Sequence, residues 1–245
     1  MIRRLLAIFF AIVCWQLLSG LLDSVIFPAP LACLYALHEA LLDGTLYKNT
    51  IASLSRVSVG YGLAAVCGVL LGALSGILST TGLIFRDMLE LLRPIPPIAW
   101  VPLAILWFGL GDSSAWFIVF VGAFFPIFIQ VSHAFANCPQ QYLEVARAYR
   151  SDRWQRFWWV RVPAAAPDIA QGLRVGLGLA WTSVIAAELV GVKNGLGDRI
   201  QQLRYVSDYE GMVVCMLTIG LLGWMMTSFA NLLQQWCIPW KKSSL

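Results

Sequence analysis

Six long apolar runs divide the chain, and shorter polar segments separate them. A helix needs roughly 20 mostly apolar residues to cross a bilayer, and the runs are close to that length. The pattern therefore predicts an all-α integral membrane protein with about six transmembrane helices. The predicted spans are 5–22, 57–79, 92–110, 114–136, 168–191 and 211–235.

The segment 23–56 separates the first two predicted spans. It has helical periodicity, but it carries His38, Glu39, Asp43 and Lys48. Charged groups are costly inside a bilayer, so this segment is too polar to span comfortably. We expect an outer loop that contains an interfacial helix.

Small residues recur at every fourth position in two of the predicted spans. Such a stripe lets another helix approach closely, either within one chain or between two subunits. Both interpretations are open from the sequence. The stripes are Gly60, Ala64, Gly68, Gly72 and Gly76 in span two, and Gly172, Gly176 and Ala180 in span five.

The third predicted span opens with the proline-rich stretch LRPIPPIAWVP. Its four prolines remove backbone donors and prevent a regular first helical turn. Irregular backbone is not tolerated against lipid, so it should be buried in protein or line a cavity. This stretch, with Pro96 and Trp100, is a candidate pathway wall; a merely kinked helix is the alternative.

Composition supports a single membrane domain over residues 1–245. Hydrophobic residues make up 59% of the chain and charged residues 12%, with a mean hydropathy of +0.74. Soluble domains are typically about 45–50% apolar and about 25% charged. The six cysteines stand singly and the two histidines are far apart, so we expect neither a disulfide framework nor a zinc site.

Lysine and arginine are distributed unevenly between alternate polar segments. If the N-terminus is cytoplasmic, the inner segments hold eleven of the 17 lysine and arginine residues and the outer loops hold four. The positive-inside rule therefore predicts that both termini are cytoplasmic, with an inner loop at 137–167 and an inner tail at 236–245. The net charge of +4 is then a topology signal and implies no nucleic-acid partner.

The inner loop combines arginines with tryptophans. Pro139 can start one helix, and Ser151 or Asp152 can cap a second short helix that stops at Pro163. An aromatic face is predicted on that second helix, formed by Trp154, Phe157 and Trp158. Two interpretations are open: docking into a groove of a partner, or anchoring in the lipid headgroup zone.

The spacing of this loop resembles the EAA loop of ABC importer permeases, E-A-A-x3-G-x9-I-x-L-P. The matching positions are Glu144, Val145 and Ala146, then Arg150 at the glycine, then Val160, Arg161, Val162 and Pro163. Because arginine disfavours the left-handed turn that glycine makes, we expect that either the bend differs or the first helix runs on. The stretches RPIPPIAWVPLAILWFGLGD, GAFFPIFI and GLRVGLGLAWTSVIAAELVG resemble the sulfonate, taurine and nitrate branch of that family.

The resemblance implies the type I ABC importer permease fold, multi-pass in the bacterial inner membrane. It implies a second permease copy, two ATPase chains that hold ATP and Mg²⁺, and a periplasmic or lipid-anchored binding protein. The chain has no G-x-x-x-x-G-K-[ST] motif, so it should not bind ATP itself. Residues 139–163 would carry the coupling, and the expected contact residues are Glu144, Ala146, Arg147, Arg150, Trp154, Phe157 and Pro163.

Charges within the spans suggest where a solute passes, since they usually face a bundle interior or a water path. Arg174 could instead reach the inner surface, and Glu188 could pair with a neighbouring helix or with Arg199 or Arg204. The candidate pathway residues are Arg56, Pro96, Trp100, Arg174, Trp181 and Glu188. The resemblance favours a small anion such as a sulfonate, taurine or nitrate as the solute.

Two functions from other classes are alternatives. A stand-alone secondary transporter would be expected to show inverted repeats and intramembrane carboxylates, whereas the two halves of this chain are dissimilar. A membrane-embedded enzyme would need clustered polar groups, and His133 stands alone in the sequence.

Overall fold

The structure is a computed structural model that describes residues 2–22, 26–78 and 86–238, and the regular structure in these ranges is helical. The α-helices are α1 Ile2–Leu22, α2 Pro30–Leu42, α3 Thr45–Ile77, α4 Val101–Phe108, α5 Asp112–Ala136, α6 Gln140–Ala148, α7 Arg153–Arg156, α8 Val162–Val190, α9 Leu196–Tyr205 and α10 Tyr209–Cys237. A short helical stretch at 86–90, a 3-10 helix Pro97–Trp100 and a π turn Phe157–Arg161 complete these elements. The all-α fold class is confirmed.

Four helices of the described part are long and apolar enough to cross a membrane. They are Thr45–Ile77, Asp112–Ala136, Arg153–Val190 and Tyr209–Trp236. These helices coincide with predicted spans two, four, five and six, and the total of six stays a prediction. From position 239 onward, the predicted inner tail 236–245 lies outside the described residues, and this part includes Lys241 and Lys242.

The predicted span 92–110 is broken in the structure. It contains the 3-10 helix Pro97–Trp100 followed by α4, which ends at Phe108 and is capped by Gly109 with a φ of 76°. The stretch Pro97–Phe108 rises only about 18–20 Å, which is less than the ~30 Å of a hydrocarbon core. The prolines before and within it explain the irregular start.

Helix α3 begins at Thr45, well before the predicted start at 57, so the outer segment 23–56 holds both α2 and the first turns of α3. Asn49, Ser53 and Arg56 are spaced i, i+4, i+7 and share one face, which is buried. The polar positions that argue against a span in the sequence, His38, Glu39, Asp43 and Lys48, are exposed.

Helix α5 is the centre of the bundle and packs between α3 and α8. Ile127 of α5 is fully buried. A Cβ at Gly68 of α3 would lie 2.8 Å from its Cγ2, and one at Gly176 of α8 would lie 2.6 Å from its Cγ1. Both small-residue stripes are thus used for packing inside the chain, which is the first of the two predicted interpretations.

Candidate functional site: the coupling segment and the outer network

We call residues 139–163 the coupling segment, the end of the bundle that carries it the inner end, and the opposite end the outer end. Its first helix, α6, stops in a left-handed bend at Arg150, which has a φ of 53°. The Ser151 N–H donates to the Ala146 carbonyl at 3.1 Å, and the Arg150 N–H donates to the Arg147 carbonyl at 2.9 Å. This is the Schellman pattern, with Arg150 where glycine is usual. The expectation that the bend differs or that α6 runs on is wrong.

The second helix of the coupling segment starts at Asp152. Asp152 Oδ1 accepts from the Gln155 N–H at 2.6 Å, while Gln155 Oε1 accepts from the Asp152 N–H at 3.1 Å. This reciprocal pair is a capping box, so the prediction of a cap at Ser151 or Asp152 is confirmed for Asp152.

The predicted stop at Pro163 is wrong, because α7 continues through the π turn Phe157–Arg161 into α8. The Val162 N–H donates to the Phe157 carbonyl, one residue farther back than in an α-helix. A proline lacks an N–H and clashes with the carbonyl four residues before it. The wider π turn at this place lets the helix pass Pro163 without ending.

Three aromatic rings form the predicted face on this helix. The Trp158 ring lies 5.6 Å from Trp154 and 5.1 Å from Phe157, centroid to centroid. Phe157 also stacks on Phe135 at 5.9 Å, which ties the coupling segment to the inner end of α5. Trp154 is 68% exposed. Phe157 therefore anchors the coupling segment inside the chain, and Trp154 presents an exposed surface.

The structure divides the predicted coupling residues among three surfaces. Glu144, Arg150 and Trp154 are exposed. Ala146 and Pro163 line an open groove, mostly apolar, of about 750 Å³. Arg147 and Phe157 line a different cavity of about 310 Å³, which we call the arginine cavity.

The arginine cavity lies between the inner end of α3 and the coupling segment. Four arginines and three apolar residues line it, and none of the four arginines has a carboxylate within 4 Å in the described ranges. The lining residues are Arg147, Arg153, Arg156 and Arg161 with Ile77, Leu143 and Phe157.

A third inner cavity, of about 650 Å³, has a mixed polar and apolar lining and lies beside the inner ends of α5 and α8. His133 Nε2 of α5 is 3.6 Å from Glu90 Oε1, and Asp168 of α8 lines the same space. His133 therefore does not stand alone, as it does in the sequence. The sequence analysis did not bring His133, Glu90 and Asp168 together. The sequence feature that they share is an ionisable side chain at the edge of an apolar run.

At the outer end, Arg56 of α3 and Glu188 of α8 form a buried ion pair. Arg56 Nη1 donates to Glu188 Oε1 at 2.8 Å, and the residues are 4% and 2% exposed. Arg56 Nε donates to Asp112 Oδ1 at 2.6 Å, a residue that the sequence analysis missed. Glu188 thus pairs with a neighbouring helix, and its carboxylate makes no ion pair with Arg199 or Arg204.

The same residues hold the backbone that leads into α9. The Lys193 carbonyl accepts from Arg56 Nη2 at 3.0 Å, and the Asn194 carbonyl accepts from Arg56 Nη1. The Gly197 N–H donates to Glu188 Oε2 at 3.0 Å. Buried charges need such additional hydrogen bonds to offset their desolvation.

Two further side chains of α3 complete this outer network. Asn49 Oδ1 accepts from the Gly195 N–H at 2.9 Å, and Ser53 Oγ accepts from the Leu196 N–H at 3.0 Å while donating to Glu188. Helix α9 has no local side-chain cap, so side chains from distant helices satisfy its first donors. Gly195 has a φ of 138°, and a Cβ there would overlap the Glu188 carboxylate.

The other predicted pathway residues lie apart from this network. Arg174 Nη1 donates to Asn231 Oδ1 of α10 at 2.8 Å. Trp181 is buried, and its indole N–H donates to the Ile219 carbonyl at 3.0 Å, which makes it part of the contact between α8 and α10.

Pro96 and Trp100 belong to the irregular stretch around the 3-10 helix. A Cβ added to Gly122, halfway along α5, would lie 3.3 Å from the Pro97 ring, so this ring packs closely against α5. Pro96 is exposed, and the buried indole nitrogen of Trp100 has no hydrogen-bond acceptor among the described residues.

Comparison with known proteins gives a family match over residues 66–243, to the model described as "Binding-protein-dependent transport system inner membrane component". An ABC transporter permease protein of Methanocaldococcus jannaschii is 38% identical, over 95% of this chain and 89% of its own length. An aliphatic sulfonates transport permease protein of Bacillus subtilis is 32% identical, over 94% and 84%. A nitrate import permease protein of Synechocystis is 32% identical, over 97% and 90%.

An inward-facing structure of the MetNI methionine ABC transporter is similar in fold. It has a TM-score of 0.69 and 20% identity, and it covers 79% of this chain and 96% of that chain. The predicted importer permease fold is confirmed, and at this identity the likeness concerns the fold alone.

Proposed function

This chain belongs to the family of binding-protein-dependent transport system inner membrane components and is a transmembrane subunit of an ABC importer, and we propose that it forms one half of a pathway for a small anion. The observation that carries the coupling part of the proposal is the continuous helix Arg153–Val190. It joins the exposed aromatic surface at Trp154 directly to a span.

The coupling segment is built to transmit movement. Its second helix has no break before α8, and the Phe157–Phe135 stack ties it to α5. A push on Trp154 would therefore move α8 as a rod against α5, where Gly176 meets Ile127 in close contact. Two ATPase chains would supply that push, and ATP and Mg²⁺ would bind to them.

A second copy of this chain would complete the pathway. The irregular backbone around Pro96 is exposed on the single chain, although Pro97 packs beside the midpoint of α5. Such backbone is not tolerated against lipid. A partner copy and a water-filled path between the two copies would cover it.

The relatives named for sulfonates and nitrate support an anion as the solute. Within the described ranges, the buried guanidinium of Arg56 is neutralised by two carboxylates, and Arg174 is bonded to Asn231. Neither arginine is therefore free to bind an anion strongly. A binding protein that delivers the solute from outside would therefore set the specificity, and the pathway would hold the solute weakly.

Both termini would lie on the cytoplasmic side of the inner membrane. The proposal rests on the positively charged inner segments, including the coupling segment. Reporter fusions at each terminus test the orientation; a periplasmic signal from either one would contradict it.

A mild-detergent pull-down of the tagged chain from its native membrane tests the coupling role. We expect a roughly stoichiometric partner that carries a Walker A motif, and we expect Glu144→Arg to lose it. Glu39→Arg, a charge reversal at an exposed position of α2, is the matched control and should retain the partner.

Uptake of labelled sulfonate, taurine and nitrate should stop when the partner's ATP site is inactivated. Uptake driven by an ion gradient alone would instead indicate a secondary transporter.

A further inference from the structure

We propose that the arginine cavity binds the phosphate group of an anionic phospholipid from the inner leaflet. This inference goes beyond transport, and it depends on the coupling segment lying at the inner membrane surface. It does not depend on which surface of the segment contacts an ATPase.

The charge of the cavity is the first observation. Among the half-buried or buried arginines outside the cavity, Arg56 and Arg86 have carboxylates within 4 Å, while Arg174 and Arg199 bond to side-chain amides. In the cavity, Arg147 and Arg153 are exposed and Arg156 and Arg161 are half-buried, and none of the four has a carboxylate within 4 Å in the described part of the chain. Four like charges around one small space repel each other unless an anion lies between them.

The depth of the cavity is the second observation. Ile77 is the last residue of α3, so the cavity begins where that span ends. Trp158 and Trp159 are exposed on the adjoining helix, and Trp159 is 81% exposed. Tryptophan and arginine at the end of a span are typical of the headgroup level.

The shape of the cavity favours a lipid over a free anion. Its lining combines three apolar side chains, Ile77, Leu143 and Phe157, with four arginines, whose guanidiniums provide planar donors that match a phosphate. Arg156 is held in place because its Nε donates to the Asp152 carbonyl at 3.2 Å. A phospholipid satisfies both kinds of side chain at once, with its phosphate on the arginines and its glycerol end on the apolar residues.

The predicted ATPase contact overlaps this space only at Arg147 and Phe157. The other predicted contact residues, Glu144, Ala146, Arg150, Trp154 and Pro163, do not line the cavity. A lipid in the cavity would instead join the end of α3 to the coupling segment.

Lipid binding to the purified full-length chain tests the proposal. The delipidated chain in uncharged detergent is titrated with phosphatidylglycerol, with phosphatidylcholine and with inorganic phosphate, and bound lipid is counted by non-denaturing mass spectrometry. The test variant is Arg156→Gln/Arg161→Gln. The matched control is Arg199→Gln/Arg204→Gln, which removes the same charge at the opposite end of the bundle.

We expect the test variant to bind phosphatidylglycerol roughly thirtyfold more weakly, since each arginine near anionic lipid contributes about a fivefold gain in affinity. The control should bind like the parent, and thermal unfolding should confirm that both variants are folded. Unchanged phosphatidylglycerol binding in the test variant would overturn the proposal. So would displacement of the lipid by millimolar phosphate, which would indicate a free oxyanion site. Loss of the ATPase partner with unchanged lipid binding would assign the cavity to the ATPase contact and would also overturn it.

Discussion

Arginine is important at both ends of the helix bundle, and its surroundings differ between them. At the outer end, Arg56 is almost fully buried and bonds to Glu188, to Asp112 and to two backbone carbonyls. At the inner end, Arg153 and Arg161 belong to a cavity in which no carboxylate is within reach in the described ranges. The outer charge is neutralised within the chain, and the inner charge is left for a partner.

This contrast separates residues that hold the fold from residues that act outside the chain. A buried charge that loses its partner destabilises a protein strongly, because its desolvation is no longer offset. An exposed charge contributes little to stability. Substitutions in the outer network should therefore change folding, and substitutions in the coupling segment should change partners and transport.

The largest effect is expected for Arg56→Leu. It leaves the Glu188 carboxylate buried without a cation and removes the donors to Lys193 and Asn194. We expect a loss of about 3–5 kcal/mol in the free energy of unfolding, and therefore little folded protein in the membrane. Size-exclusion chromatography of a fluorescent fusion measures the folded fraction.

The companion experiment replaces both partners of the pair. Arg56→Leu/Glu188→Leu removes both buried charges, so it should be more stable than Arg56→Leu alone. A double variant that is less stable than either single variant would show that the two charges do not act as a pair.

Trp154→Asp should have the opposite profile. Trp154 is 68% exposed, so the free energy of unfolding should change by less than about 1 kcal/mol. Uptake and retention of the ATPase should be lost, because the aromatic surface becomes acidic. Trp154→Phe keeps an aromatic ring and should keep most of the uptake. Normal uptake by Trp154→Asp would remove this residue from the coupling surface.

The two regions also differ in how well the sequence predicts them. The aromatic face of Trp154, Phe157 and Trp158 is a local property, since residues at i, i+3 and i+4 meet on any helix. The capping residue Asp152 follows from equally local rules. The outer network joins Ser53 to a residue 135 positions away. Spacing along one helix cannot identify such a partner, so Glu188 had several options until the helices were placed.

The errors concern positions where two local rules compete. Pro163 predicts a helix end, but the π turn before it lets the helix continue. Arg150 predicts no left-handed bend, yet the bend forms. The Ser151 hydroxyl donates to the Ala146 carbonyl at 2.6 Å and adds to the backbone bonds of the turn. Tertiary packing and side-chain hydrogen bonds decide such positions, and composition does not reveal them.

Arg150→Gly is expected to have a smaller effect, and a stabilising one. A non-glycine residue in the left-handed region costs about 1–2 kcal/mol, so glycine at this φ of 53° should raise the free energy of unfolding by roughly 1 kcal/mol. Thermal unfolding in detergent measures the gain. Arg150→Val is the opposite test and should destabilise the turn. A loss of stability in the glycine variant would mean that the Arg150 side chain holds the bend.

The smallest expected effect concerns the thiol of Cys138, which lies between α5 and α6. Burial raises the pKa of this thiol, while the positive charge of Arg161 acts in the opposite direction. Because only the thiolate reacts readily, labelling by a maleimide should be slow at neutral pH and should accelerate as the pH rises toward the raised pKa. Arg161→Gln removes the charge that lowers the pKa, so labelling of Cys138 at a fixed pH should become slower, as quantified by peptide mass spectrometry. Arg153→Gln, in the same cavity, is the control. Faster labelling in the Arg161 variant would mean that this side chain shields the thiol more than its charge activates it.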